Sequence, residues 1–183
     1  FIKLGQILST RGDLVPPEVL AELQMLQDRV PPMALDDVRQ QIREELGAEI
    51  DEVFSAFDEQ PLACASIAQV HRATLASSQT DVVIKVQRRN IEPGIDSDLH
   101  ILLFLARRAE ALIPELRLMD PVGIVREFDK ALRKELDFRN EAFNIKRFTE
   151  NFAGFEGLVV PKVYDEASTS RVLVMEFMRG YKI

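Results

Sequence analysis

The chain has 183 residues, of which 46% are hydrophobic and 29% are charged, and its formal net charge is −7. These values are ordinary for a globular protein and exclude a chain dominated by disorder. The net negative charge argues against nucleic acid or anionic lipid as a partner of the whole surface. The single Cys64 excludes an internal disulfide framework.

The two ends of the sequence suggest a fragment of a longer protein. Phe1 leads directly into patterned sequence without an initiator methionine or a signal peptide. Residues 180–183 contain no obvious finishing element. The longest apolar run, at 101–106, is far shorter than the roughly 20 residues that cross a bilayer.

Apolar residues in the first 50 positions have the spacing of three short helices. The first is predicted over 1–12, and the second begins at Pro16 and stops before Pro31. The third is predicted to be capped by Asp36 and to end at Gly47. Because each helix has an apolar stripe to cover, we expect the three to pack as one unit.

Strands are predicted next, because the apolar period changes at Val53. The region from Val53 to Leu75 is β-rich, 76–80 forms a polar hairpin tip, and 81–87 is dense in β-branched residues. The short connection makes this pairing antiparallel. Near the C-terminus, 159–164 and 172–175 predict the two arms of a final hairpin.

Two long helical patterns lie between these strand regions. The first is introduced by Pro93 and ends before Pro114, and the second begins at Asp120, a capping residue followed by proline. The second pattern continues to Phe148. An unbroken helix there would be about 42 Å long, so we expect a bend or break near 136–140.

Lys85 is the sharpest candidate for chemistry. The neighbours of Lys85 in its strand are apolar, and two-residue alternation puts Val83 and Lys85 on one face. An ammonium group buried there needs an anionic partner, such as phosphate oxygens plus a carboxylate, because an unpaired buried charge is costly. The alternative is an edge-strand lysine that prevents aggregation. The four residues 82–85 alone leave these two interpretations even.

Acidic residues near the predicted helix break are further candidates. Glu135 and Glu141 are six apart and face different directions on a helix, whereas Asp137 and Glu141 are four apart and repel unless cations neutralise them. Three nearby cations could do so: Lys134, Arg139 and Lys146. The alternative is a solvated charged helix, which these residues alone favour.

Small residues fill a predicted turn, which consists of Ala63, Cys64, Ala65, Ser66, Ile67 and Ala68. Phosphate-binding loops normally use glycine, because a missing Cβ lets backbone amides approach oxygen closely. Alanine permits less approach. The segment is therefore either a stiffer, narrower loop of this kind or a well-packed turn, and composition leaves both open.

Together these features resemble the UbiB family of atypical protein-kinase-like proteins, which is associated with ubiquinone biosynthesis. Four segments carry the resemblance in order, and they extend over nearly the whole chain: Lys3-Leu4-Gly5-Gln6 (K-x-G-Q), the alanine-rich 61–71, Val83-Ile84-Lys85, and Glu135-Leu136-Asp137 (E-x-D) with Glu141-Ala142. The resemblance implies an α+β fold. It places a kinase-like N-lobe with a small antiparallel sheet and an αC-type helix over 51–183, and a K-x-G-Q helical extension over 1–50.

The resemblance also implies roles for single residues. Lys85 would contact nucleotide phosphates with Glu141 as its ion-pair partner, and residues 63–68 would replace the glycine-rich loop, with no reactivity assigned to Cys64. Four residues would regulate the cleft: Lys3, Gln6, Glu135 and Asp137. Lys3 and Gln6 would enter the cleft near Glu135 and cover the place of a peptide substrate. Three residues would lie beside the adenine, Met175 as gatekeeper and Glu176 and Met178 in the hinge.

The implied ligand is ATP or ADP. Mg²⁺ would be held by the other half of a kinase domain, because no catalytic-loop or D-F-G-type aspartate follows Gly180. This piece alone is therefore expected to be inactive. Family likeness further implies quinone-precursor lipids and quinone-biosynthesis proteins as partners, with no nucleic acid, and membrane association through other segments. The expected location is the cytoplasmic face of a bacterial inner membrane or the cytoplasm, or alternatively a mitochondrion or plastid.

Two functions from different classes remain open. One is an ATPase or small-molecule kinase serving an isoprenoid-quinone pathway. The other is a non-catalytic pseudokinase scaffold that binds lipid intermediates or biosynthetic partners through the amphipathic segments 16–30 and 95–113. A conventional protein kinase is least favoured, because the flexible glycines are missing from the loop.

Overall fold

The structure, a computed structural model, describes residues 30–180. Its helices are α1 (Leu35–Leu46), α2 (Ile50–Val53), α3 (Ile91–Leu112), α4 (Pro121–Leu136) and α5 (Phe138–Asn151), and its strands are β1 (Phe54–Phe57), β2 (Ala63–Cys64), β3 (Ala68–Leu75), β4 (Asp81–Gln87) and β5 (Val172–Glu176). Two 3₁₀ helices span Pro114–Met119 and Asp165–Ala167. The first two predicted helices and the K-x-G-Q segment lie outside the described residues.

The chain divides into two compact units. The helical unit includes Asn90–Lys134, and the sheet unit consists of Pro31–Arg89 and 135–180 among the described residues. The boundary expected at residue 50 stays a prediction. Helix α1, which lies before that boundary, packs into the core of the sheet unit.

The sheet is antiparallel, in the order β1-β3-β4-β5, with the short β2 also paired to β3. Strand β4 therefore lies between β3 and β5, and Lys85 is opposite Val70 on one side and Leu173 on the other. This position rules out an edge-strand role for Lys85. The predicted α+β fold with a small antiparallel sheet is confirmed.

The two faces of β4 have different surroundings. Val82, Ile84 and Val86 are fully buried and pack with Val38 and Ile42 of α1. Alternation puts Val83 and Lys85 on the opposite face, where both are only half-buried. One face of the sheet therefore forms the main core, and the other keeps partial access to solvent.

The predicted limits of α1 are half correct. Gly47 ends the helix in the left-handed region, with φ 69°, and its amide donates to the carbonyl of Arg43. The capping role predicted for Asp36 is wrong, because the helix begins at Leu35 with Ala34 at the N-cap position. Asp36 instead lies in the first turn, where a negative charge favours the helix dipole.

The predicted break in the long helical pattern is confirmed. Helix α4 ends at Leu136, and α5 begins at Phe138. At the start of α4, the carboxylate of Asp120 accepts a hydrogen bond from the amide of Gly123 at 2.9 Å, as expected for a cap. A Cβ at Gly123 would lie 2.0 Å from an oxygen of Asp120, so a larger residue there would displace the carboxylate from this capping position. Helix α3 begins at Ile91, slightly earlier than expected.

The final hairpin is only partly formed. Strand β5 is present, but its expected partner contributes a single isolated bridge, between Val163 and Met175. Val159 is 71% exposed. Pro161 interrupts the expected first arm, and proline has no amide with which to continue a ladder.

A chain of polar groups joins the core face of β3 to two other segments. The side-chain oxygen of Gln69 accepts a hydrogen bond from the backbone amide of Met33 at 2.6 Å. The side-chain nitrogen of Gln69 donates one to Nε2 of His71 at 2.8 Å. Nδ1 of His71 then donates to the carbonyl of Asp58 at 2.8 Å. Because Nε2 accepts and Nδ1 donates, His71 is held in one neutral form.

A matched pair of valines tests the assignment of the core. Val82→Ala is expected to lower the free energy of unfolding by about 1.5–3 kcal/mol, because Val82 is fully buried. Val159→Ala, the same change at an exposed site, should alter it by less than about 0.5 kcal/mol. Urea denaturation measures both values, and equal effects would contradict the assigned core.

His71 is expected to make stability depend on pH. Burial lowers the pKa of His71, although its bond to Asp58 opposes this effect. The unfolded chain titrates near about pH 6.5, so the unfolded state binds more protons below that pH. Stability should therefore fall as the pH drops below about 6.5, by at most about 1.4 kcal/mol per pH unit from this group.

Urea denaturation between pH 5 and pH 8 measures this dependence in wild type, His71→Gln and His100→Gln. The first variant should lose this part of the slope and the second should keep it. An unchanged slope in His71→Gln would contradict the buried neutral histidine.

Candidate functional site

An ion pair connects strand β4 to helix α5. Nζ of Lys85 lies 2.5 Å from Oε2 of Glu141, and the two side chains are 21% and 38% exposed. The same ammonium lies 4.7 Å from the ring centroid of Phe138, which is fully buried. The lysine therefore has a carboxylate and an aromatic face as partners while keeping some access to solvent.

The start of α5 is fixed by two hydrogen bonds to the sheet region. The amide of Phe138 donates to the carbonyl of Ser170 at 2.8 Å, and the buried side chain of Gln87 donates to the carbonyl of Leu136 at 2.6 Å. Phe138 and Ala142 are buried on one side of the helix. Glu141, three residues after Phe138, is thereby positioned at Lys85.

The other charged candidates have different partners. Asp137 accepts from Arg139 at 2.7 Å, and this hydrogen bond lowers the pKa of the Asp137 carboxyl group. Lys146 pairs with Asp165 and so does not neutralise either acidic residue of the helix start. Glu135 lies exposed in the last turn of α4. Lys3 and Gln6 fall outside the described residues, so their proximity to Glu135 stays a prediction.

Of the residues expected beside a base, Met175 shares the face of Lys85, whereas Glu176 pairs with Val82 of the opposite face. Met175 is paired with Val83 across β4 and β5, and Lys85 is paired with Leu173, so all four side chains are on one side of the sheet. Glu176 closes β5 through a hydrogen bond from its amide to the carbonyl of Lys162 at 2.8 Å. Met178 is exposed just beyond the strand.

Arg72 is a residue of this region that the sequence did not reveal. Its guanidinium group lies 4.6 Å from the ring centroid of Phe177 and donates to Asp81 at 2.7 Å. This hydrogen bond lowers the pKa of the Asp81 carboxyl group. The available signal was the alternation of Val70 and Arg72 along β3, which places a charge on the half-buried face.

The alanine-rich turn is partly buried, with Ala63 and Ala65 exposed. Ala63 pairs with Val70 and Cys64 with Gln69, while the amide of Ala65 donates to the carbonyl of Ala68 at 2.8 Å. Ile67 and Ala68 are buried, and Cys64 and Ser66 are half-buried. This turn joins β2 to β3, next to β4, which carries Lys85. A role toward phosphate stays a prediction for 63–68.

The described residues contain neither a cluster of metal-ligating side chains nor a helix suited to cross a membrane. Within 30–180, no group of three or more histidine, cysteine, aspartate or glutamate side chains is arranged to hold a metal ion. In the same range, no helix combines the length and apolar character needed to cross a membrane.

The small antiparallel sheet, its central lysine and the carboxylate on a neighbouring helix define a kinase-like N-lobe. A solved structure with this fold is titled the complex structure of Rv3197-erythromycin from Mycobacterium tuberculosis. It has a TM-score of 0.69 and 28% identity, and the match covers 96% of this chain and 44% of that one.

The family model described as the ABC1 atypical kinase-like domain matches residues 25–183, and the chain belongs to this family. Proteins named Probable protein kinase UbiB are 45% identical in Aeromonas hydrophila and 46% identical in Pseudomonas aeruginosa, over all 183 residues. The chain spans 34% of the length of each of these relatives. The resemblance predicted from the motifs is confirmed.

A double-mutant cycle measures the strength of the central pair. Replacing Lys85 by Met and Glu141 by Gln, singly and together, should give a favourable coupling of about 1–2 kcal/mol, because the pair is half-buried and charge-assisted. The control is the more exposed Lys146–Asp165 pair, changed in the corresponding way, with an expected coupling below about 1 kcal/mol. A coupling near zero at Lys85 and Glu141 would contradict the described geometry.

Proposed function

We propose that this chain forms the nucleotide-binding part of an atypical kinase or ATPase that supports isoprenoid-quinone (ubiquinone) biosynthesis, and that the nucleotide is ATP or ADP. The observation that carries the proposal is the Lys85–Glu141 pair. A half-buried ammonium on a central strand, held by a carboxylate from another element, is suited to bind phosphate oxygens. Membership of a kinase-like family supports the same assignment.

Lys85 has enough hydrogen-bond donors for this role. An ammonium group has three donors, and Glu141 accepts from Lys85 through one oxygen. The remaining donors can serve the α- and β-phosphates. Glu141 keeps the ammonium in place, and the ring of Phe138 restricts its movement. In this proposal both charged residues act by positioning and charge neutralisation, which provide most of the catalysis in phosphoryl transfer.

The base is proposed to lie on the same face of the sheet. Val83 and Met175 would contact its apolar surface, while the backbone of Glu176 and Met178 would supply hydrogen bonds to its edge. The alanine-rich residues 63–68 would cover the phosphates. Lys3, Gln6, Glu135 and Asp137 are proposed to restrict the cleft so that a peptide does not enter. Mg²⁺, which neutralises phosphate charge, is assigned to residues outside this chain.

The alternative is a pseudokinase scaffold that binds lipid intermediates or biosynthetic proteins. Several large apolar side chains of the helical unit support it by their exposure: Phe104, Leu105, Leu112 and Leu118, the last of these 94% exposed. Exposed apolar side chains mark a surface that contacts lipids or partners where they form one contiguous patch. For either function, we propose a location in the bacterial cytoplasm or at the cytoplasmic face of the inner membrane.

Lys85→Ala in the full-length protein tests the proposal. Loss of the ammonium should weaken ADP binding at least tenfold, measured by calorimetry, and should abolish most ATPase activity. Lys146→Ala is the matched control, because Lys146 pairs with Asp165 on the surface, and it should leave both values unchanged. If Lys85→Ala leaves ATPase activity unchanged, the enzymatic function is wrong and the scaffold is favoured. Peptide phosphorylation by the wild type would instead support a conventional protein kinase.

A further inference from the structure

Arg88 bonds to three separate backbone carbonyls near the alanine-rich turn. Its amide donates to the carbonyl of Ile67 at 2.9 Å, its Nε to the carbonyl of Ala65 at 3.1 Å, and its terminal nitrogen to the carbonyl of Pro31 at 2.6 Å. Arg88 follows directly after β4, three residues beyond Lys85. One residue therefore links the turn to the end of the lysine strand and to the segment before α1.

The segment at 31–33 has a second attachment to the same region. The amide of Met33 donates to the side chain of Gln69, which is buried on β3. The thiol of Cys64 also lies within hydrogen-bond distance of that side-chain oxygen, at 3.7 Å. The segment is thus held on both sides of the turn, so the contact from Arg88 to Pro31 ends on an anchored partner.

Arg88 bonds to carbonyls of the turn and not to its amides. The carbonyls of Ala65 and Ile67 are occupied by Arg88, and the amide of Ala65 is occupied by the carbonyl of Ala68. Within residues 30–180, the amides of Ser66 and Ile67 have no hydrogen-bond partner. Successive backbone amides that make no hydrogen bond to the described residues are suited to bind phosphate oxygens.

We propose that Arg88 is a positioning residue for the nucleotide phosphates: its guanidinium group ties the carbonyl of Ala65 in the turn to the carbonyl of Pro31, so that the amides of Ser66 and Ile67 remain available to phosphate. This inference rests on the proposed nucleotide site. Arg88 itself does not contact the nucleotide in this proposal. A fixed turn made of alanine rather than glycine would lose little entropy when phosphate binds, and Arg88 supplies the fixation.

The test compares ADP with adenosine in the full-length protein, by calorimetry on the wild type and three variants. Arg88→Ala should weaken ADP binding about tenfold and change adenosine binding by less than twofold, because adenosine lacks phosphates. Arg89→Ala is the matched control: it removes the same charge at the adjacent position, where Arg89 pairs with Glu44, and should change neither affinity. Arg88→Lys keeps the charge but lacks the guanidinium fork, so it should bind ADP about as weakly as Arg88→Ala does.

Three results would overturn the inference. Unchanged ADP affinity in Arg88→Ala removes the role. An equal loss of affinity for ADP and for adenosine in Arg88→Ala indicates a general loss of structure. Full ADP affinity in Arg88→Lys shows that only the charge matters.

Failure of the wild type to bind ADP would instead contradict the proposed nucleotide site. Hydrogen exchange then tests Arg88 separately: the amides of 65–68 should exchange at least tenfold faster in Arg88→Ala than in Arg89→Ala. Equal rates would overturn the positioning role.

Discussion

The ammonium of Lys85 is the group on which the rest of the site depends. It lies half-buried on a central strand, where Glu141 and the ring of Phe138 are both in contact with it. A cation removed partly from water needs such partners to offset its lost hydration. Helix α5 must therefore begin where it does, and the hydrogen bonds that Gln87 and Ser170 make to its start serve the ion pair as well as the packing.

The fold separates stability from function by the two faces of one sheet. The face of Val82, Ile84 and Val86 is closed by α1 and supplies the main core. The other face contains Lys85 and Met175 and stays partly accessible. The buried residues on one face of a strand fix the register of that strand. A charged residue on the other face is therefore held firmly in place. The same strand continues into the arginine that holds the alanine-rich turn.

Local signals in the sequence predicted much of this arrangement. Two-residue alternation predicted which face of the strand carries Lys85, and Gly47 predicted the end of α1. The excessive length of one helical pattern predicted the break before Phe138. Long-range contacts were not accessible in this way. The cap predicted at Asp36 failed because the helix begins earlier, at Leu35, with Ala34 at the N-cap position and no side-chain cap. The last hairpin failed because Pro161 interrupts its first arm. No local pattern predicts that β5, which is far away in sequence, pairs with β4. The partners of Arg72 and Lys146 likewise depend on tertiary packing.

The most direct test of the account is a crystal structure of the full-length protein with ADP and Mg²⁺. The account predicts an oxygen of the α- or β-phosphate within about 3 Å of Nζ of Lys85, with the bond to Glu141 retained. A nucleotide bound elsewhere on the protein, or a Lys85 side chain turned away from both the phosphates and Glu141, would contradict it.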